Sequence, residues 1–192
     1  MRIFEFAKPV VVALNGDAVG VGASMILPCD LRLSVPSARI GFVQARRGIA
    51  LEGCSTWFLP RIVGINRAVD WAVSGRLVAM DEAVEVELIH SVHAPEELLK
   101  AAVDAASRLV ETSAPVSAAV TRRMLWNALS LSSPMEAHQI ESIVIPTLMK
   151  QADAKEGVSA FFQRRPASFT DKPSSLMRRF SKLWNSPPFD AS

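Results

Sequence analysis

K-P-V-V-V-A-L-N-G-D-A-V-G-V-G-A, residues 8–23, decides the fold of this chain. After Pro9 comes a short, continuous, β-branched apolar run. That pattern predicts a strand covered on both faces, as in a parallel sheet. Asn15 and Gly16 end the run, and Gly20 and Gly22 flank Val21. A short apolar helix is expected over about residues 22–27. Strand, glycine-rich turn and helix together aim backbone N–H groups at an anion or an oxyanion. Small residues also let a helix pack tightly on a strand, and both readings stand at this point. The dinucleotide-binding fingerprint is excluded, because G-V-G lacks the third glycine at its required spacing.

Working downstream, L-R-L-S-V at residues 31–35 reads as a second strand, and residues 39–42 as a short third. Residues 38–64 read A-R-I-G-F-V-Q-A-R-R-G-I-A-L-E-G-C-S-T-W-F-L-P-R-I-V-G, and Glu52 is the one acid among them. It stands directly before a predicted helix over residues 54–63. Gly53 lets the chain turn there without a Cβ penalty. An acid at a helix mouth among apolar side chains is a candidate general base. It is equally a residue that favours the positive end of a helix. Arg46 and Arg47, just upstream, suit a phosphate or surface acids. Trp57 has the spacing of a core residue.

Beyond Gly64, helices are expected over about residues 67–74 and 80–88, with a brief strand at 89–92. Pro95, Pro115 and Pro134 then open long helices, the preference of proline for the first helical turn. A further helix is expected over residues 153–163. Strands alternate with helices before residue 95, and helices follow one another after it. The expected organisation is an α/β part over residues 1–94, a helical covering or oligomerising region over 95–168, and a loose tail over 169–192, within which Phe180, Leu183 and Trp184 are apolar enough to dock.

Composition narrows the function. Apolar residues make up 49% of the 192, and the formal net charge is +2, which gives no electrostatic case for nucleic acid. The basic residues Arg164, Arg165, Lys172, Arg178, Arg179 and Lys182 crowd the C-terminal quarter, facing phosphate or water. Cys29 and Cys54 form no C-x-x-C, and a reduced intracellular protein is the simpler reading. The sequence does not resolve cytoplasm, peroxisome or mitochondrion. No run is long enough to predict a membrane span, and the apolar part of residues 1–9 is too short for a signal peptide. His90, His93 and His138 bring no ligand set with them, so no metal is expected. Ser24 and Ser55 read as helix-start hydroxyls, since no G-x-S-x-G elbow exists.

Taken together, four stretches resemble the enoyl-CoA hydratase/isomerase family, the crotonase superfamily. They are residues 8–23, then C-D-L-R-L with S-A-R-I-G-F, then E-G-C-S-T-W-F-L-P-R-I-V-G, and finally D-A-K-E-G-V-S-A-F-F-Q-R-R-P-A-S-F at residues 153–169. The similarity runs from about residue 3 to 169. It implies an α/β spiral core of the crotonase type, incomplete at its N-terminus relative to the family, followed by a helical region. It implies an acyl-CoA thioester as substrate, with no further cofactor, and two backbone N–H groups that hold the thioester oxygen as it becomes an enolate. One of these donors carries over to Val21, with Ala18, Gly20 and Gly22 as its substrate-binding neighbours.

The family's hydratases use two glutamates, and these positions hold Ser24 and Gln44 here. Glu52 instead matches the lone glutamate of the Δ3,Δ2-enoyl-CoA isomerases, whose motif resembles E-G-C-S-x-x-x-x-P. The resemblance therefore implies isomerisation through Glu52. The alternatives are a truncated, non-catalytic subunit that assembles with full-length relatives, and a different chemistry such as dehalogenation or thioester hydrolysis. It also implies a trimer, a hexamer or a hetero-oligomer. Val116, Val120, Met124 and Leu125 in the helical region point the same way. The chain is expected to be an oligomer by light scattering at micromolar concentration; a monodisperse monomer contradicts this.

Overall fold

The computed structural model describes residues 2–184, which fall into two compact units that part between residues 107 and 108. The boundary lies inside α6 (Pro95–Val110), and not at residue 94 as the change of pattern suggested. The amphipathic run continues past the point where strands stop, and Leu98, Ala102 and Ala105 of α6 are buried within the first unit's residues.

The first unit opens with one helical turn, α1 (Arg2–Glu5), followed by β1 (Val11–Leu14). β2 (Ala18–Val19) leads through Gly20 into α2 (Val21–Ile26). β3 (Leu31–Ser34) and β4 (Arg39–Gly41) follow, then a 3-10 turn, Gln44–Arg47. α3 (Ser55–Val63), α4 (Ile65–Ser74), β5 (Leu77–Ala79), α5 (Met80–Glu85) and β6 (Ser91–Val92) complete it up to α6. One sheet has the order β1-β3-β6, all parallel. Val11 pairs with Leu31 and Leu14 with Ser34. The other has the order β2-β4-β5, with β2 parallel to β4 and β5 antiparallel to it.

β1 corrects one expectation. All four of its residues are half-buried, and among the described residues it pairs with β3 alone. Its β-branched run marks a strand without telling how far its faces are covered. β2 and β5 were not expected at all. Two or three residues are too few for the period-2 pattern to register.

The core of the first unit is apolar, with Leu27, Ile40, Phe42, Leu59, Trp71 and Val78 almost fully buried. Each such side chain contributes about 1.5–3 kcal/mol by leaving water. Two polar devices tie it together. Trp71 Nε1 donates to Glu82 at 2.9 Å, and Arg76 forks onto Glu82 and Asp70. Hydrogen bonding from Arg76, helped by Trp71, holds the Glu82 carboxyl below its ordinary value against the opposing effect of burial. Arg32 is the second device, 7% exposed. It donates from Nε to Leu88 O at 2.7 Å and from Nη1 to Cys29 O at 2.5 Å, with Ile26 O and Leu27 O at 3.3 Å. A cation thus closes the carbonyl end of α2, where the helix dipole favours it.

The second unit holds α7 (Pro115–Ala128), α8 (Pro134–Met149), α9 (Ala152–Gln163), α10 (Pro173–Leu176) and 3-10 turns over Met177–Leu183. Ser133 caps α8 by accepting from Met135 N. The expected loose tail over residues 169–192 is corrected as far as it is described. Leu176 and Phe180 are 5% and 1% exposed and pack with Val116, Val120 and Val144. Their apolar side chains leave water there, which the polar residues around them obscured in the sequence. Residues 185–192 of that expected tail lie outside the described residues.

The same cluster corrects the reading of Val116, Val120 and Met124 as a subunit interface. These three side chains belong to the unit's own core, and only Leu125 of the four is exposed. Asp153 Oδ1 accepts from Thr170 N and Asp171 N, and Glu156 pairs with Arg165 and accepts from Ser168 N. Arg165, and then Ser168, pull the Glu156 carboxyl down to about 2.

Removing the Arg32 guanidinium leaves several buried carbonyls without a donor, a loss on the order of 3 kcal/mol. Arg32→Met is therefore expected to lower the urea midpoint clearly. A midpoint equal to wild type contradicts this account of α2.

Candidate active site

α2, the 3-10 turn and the loop before α3 meet at one carboxylate. Glu52 Oε1 accepts from Ser24 Oγ at 2.7 Å and from Gln44 Nε2 at 2.7 Å. Ser24 and Gln44 are themselves 3.5 Å apart and are 1% and 3% exposed. Among the described residues, the Gln44 side-chain oxygen Oε1 is buried without a hydrogen-bond partner. Glu52 is half-buried.

Local chemistry builds this meeting. Gly53 has φ +64, and a Cβ on it would stand 3.2 Å from the Ser24 Cβ. A side chain at residue 53 would therefore push the Glu52 loop off α2. Cys54 follows at φ 62, and Ser55 closes the turn by donating both N–H and Oγ to Glu52 O. Gly20, at φ 59 and ψ −123, has a backbone open only to glycine, and its N–H donates to Gly41 O at 2.8 Å. That bond sets the start of α2 beside β4.

A cavity of about 260 Å³ opens beside Glu52. Glu52, Ser24 and Arg2 are its polar side chains, and Ile3, Phe4, Met25, Pro28 and Phe58 supply apolar walls. Val21 and Gly53 complete the lining. Phe4, Trp57 and Phe58 pack edge to face, with Phe4 and Phe58 centroids 5.6 Å apart and Trp57 and Phe58 4.8 Å apart. α1 thus fixes one wall through Phe4. Arg61 stacks over Trp57 at 4.2 Å, so Trp57 serves packing.

Of the residues singled out in the sequence, Glu52 and Val21 come together on this cavity. Val21 opens α2 and is 58% exposed. The N–H groups of a first helical turn have no carbonyl within their own helix, so they face outward. Ala18, Gly20 and Gly22 are not among the lining residues. Ala18 is 6% exposed and pairs with Ile40 across β2 and β4, and Gly22 lies within α2. Ser24 and Gln44 as partners of Glu52 were missed. A signal exists in the resemblance, since both residues stand at reacting positions of the family and such positions converge. Phe4 and Ile3 gave no signal, because nothing in F-E-F tells a cavity wall from a surface turn.

A second, larger cavity of about 370 Å³ lies by Asp30, Arg32, Glu87 and His90. Its Arg32 is engaged by carbonyls, and Asp30 accepts from Val10 N at 2.7 Å. Among the described residues no group of three His, Cys, Asp or Glu side chains is placed to hold a metal ion. His93 is 2.8 Å from Ser91 Oγ. Among the described residues no helix is long and apolar enough to cross a membrane. The Glu52 cavity combines apolar walls with a carboxylate at its edge, and is the candidate site.

Known proteins share this arrangement of chain. The chain is 33% identical over 172 residues to the enoyl-CoA hydratase ACTT3 of Alternaria alternata, covering 89% of this chain and 57% of that protein. It is 30% identical over 175 residues to the crotonyl-CoA hydratase of Syntrophomonas wolfei, covering 89% and 65%. The chain thus spans a little over half to about two thirds of these relatives. Among solved structures, a "probable enoyl-CoA hydratase/isomerase" from Mycobacterium abscessus superposes with a TM-score of 0.82 at 34% identity, over 88% of this chain and 68% of that one. The enoyl-CoA hydratase of Bacillus anthracis gives a TM-score of 0.82 at 25% identity, over 88% and 65%. The family model for enoyl-CoA hydratase/isomerase matches residues 1–172. Sequence and fold therefore agree that this chain belongs to the enoyl-CoA hydratase/isomerase family and has the crotonase fold.

Proposed function

We propose that the chain isomerises 3-enoyl-CoA to 2-enoyl-CoA thioesters, with Glu52 as the single base and the Val21 N–H as a donor to the thioester oxygen. The observation that carries this reading is the pair of hydrogen bonds on Glu52 Oε1. Ser24 and Gln44 stand where the family's hydratases are expected to hold glutamates. Both donate to Glu52, and neither is a carboxylate that can activate water. One carboxylate suffices for a 1,3-proton shift. Glu52 takes a proton from C2, and the electron pair of that C–H bond moves toward the thioester oxygen as the dienolate forms. The proton then bonds to C4, and the double bond settles between C2 and C3. Donors aimed at the developing oxyanion are commonly worth about 3 kcal/mol each. The relatives named as hydratases favour water addition, which would need an acid–base pair that Ser24 and Gln44 do not supply.

A second reading is a non-catalytic subunit that assembles with longer relatives. Phe161 and Phe162 on α9, 79% and 78% exposed, supply apolar surface for self-association or for such a partner. An assembled but inactive wild-type chain would favour it.

Variants at two residues test the isomerase reading. Val21→Pro removes the N–H and is expected to abolish turnover, whereas Val21→Ala keeps the N–H and is expected to retain it. Equal losses would assign the effect to packing. Glu52→Gln is nearly isosteric and is expected to lower isomerisation by several orders of magnitude. The helix-dipole support lost with its charge is about 0.3–1 kcal/mol. Following a C2 deuteron to C4 reads this directly, and isomerisation that survives Glu52→Gln contradicts the single-base mechanism.

A further inference from the structure

We propose that Ser24 and Gln44 are positioning residues: they hold Glu52 Oε1 so that Oε2 alone removes the proton at C2 and returns it at C4. This rests on the reading of Glu52 as the single base. Both donors reach the same oxygen at 2.7 Å, and both are almost fully buried. Among the described residues no hydrogen bond engages Oε2. A carboxylate held at one oxygen by two donors from different elements cannot rotate its two oxygens past each other without breaking both bonds.

The Gln44 amide shows that this arrangement is not simply good packing. Its Nε2 faces Glu52, and its own carbonyl oxygen is left buried without a partner. Turning the amide over would set two acceptors against each other at 2.7 Å. A leucine or methionine at this position would fill the space with no orphaned oxygen. The buried glutamine is thus explained by what it does to Glu52. Ser24 has one hydroxyl proton, and the short contact to Oε1 takes it in preference to Gly20 O at 3.3 Å. Gly53 keeps the base within reach of Ser24.

The consequence concerns the fate of the proton. During the shift the C2–H bond breaks and an O–H bond forms at Oε2. That O–H bond then breaks as the C4–H bond forms, while the two bonds at Oε1 persist throughout. A base that keeps its orientation returns the proton it took. A base free to swing lets the proton exchange with solvent between the two steps.

The test uses the full chain with Ser24→Ala, Gln44→Met and, as a control, Glu52→Gln. The chain contains four glutamines, so the Gln44 side-chain amide can be followed by nitrogen-15 labelling. Its proton resonance is expected to lie downfield in wild type and to move upfield in Glu52→Gln. No movement overturns the proposal whatever the activity. With a C2-deuterated 3-enoyl-CoA, Ser24→Ala and Gln44→Met are each expected to lower kcat about ten- to hundredfold and to lose deuterium at C4 to solvent. KM is expected to stay within about threefold. Wild-type kcat and deuterium retention in both variants, with Glu52→Gln inactive, overturns the positioning role and leaves the single-base reading intact. Isomerisation by Glu52→Gln removes the single-base reading and the positioning role with it.

Discussion

Two short hydrogen bonds onto one oxygen of Glu52 are the constraint on which the site depends. They join three pieces of chain that are separate in sequence: α2 through Ser24, the 3-10 turn through Gln44, and the loop before α3 through Glu52 itself. Each piece is held in turn. Gly20 ties the start of α2 to Gly41 of β4, and Arg32 closes its other end. Gly53 permits the approach, and Ser55 locks the turn around the Glu52 carbonyl. A neutral serine and a neutral glutamine can converge on a carboxylate. Two further carboxylates at the same distances would repel it. The replacements at residues 24 and 44 are therefore compatible with a base at 52, and the three residues read as one unit.

The apolar side of the site follows from a different constraint. Phe4, Trp57 and Phe58 pack edge to face, so a single turn of helix, α1, supplies part of the cavity wall. In the second unit the C-terminal turns act likewise. Leu176 and Phe180 complete the core made by Val116, Val120 and Val144, which those helices would otherwise leave open to water.

The main elements of the fold were readable from the sequence because they carry strong local signals. The β-branched run at residues 11–14, the glycines around Val21, and prolines at the starts of α6, α7 and α8 each act through a single residue's backbone preference. Glu52 stands out in the sequence as the one acid among residues 38–64, and the structure sets it on the lining of a cavity. What escaped depends on contacts distant in sequence. β2 and β5 are too short for periodicity, and the surface on which Phe180 docks is set by tertiary contacts. The Ser24–Glu52 bond spans 28 residues, and no pattern along the chain encodes it. The fate of Val116 and Val120 was misjudged for the same reason: an apolar helix face does not say which surface covers it.

The central claim is that this site moves a proton along an acyl chain and does not add water to it. The most direct measurement incubates the full chain with a 3-enoyl-CoA in water enriched in oxygen-18 and identifies the products by mass spectrometry. The expected product is 2-enoyl-CoA without the heavy oxygen. A 3-hydroxyacyl-CoA carrying oxygen-18, formed as fast as the isomer, would contradict it.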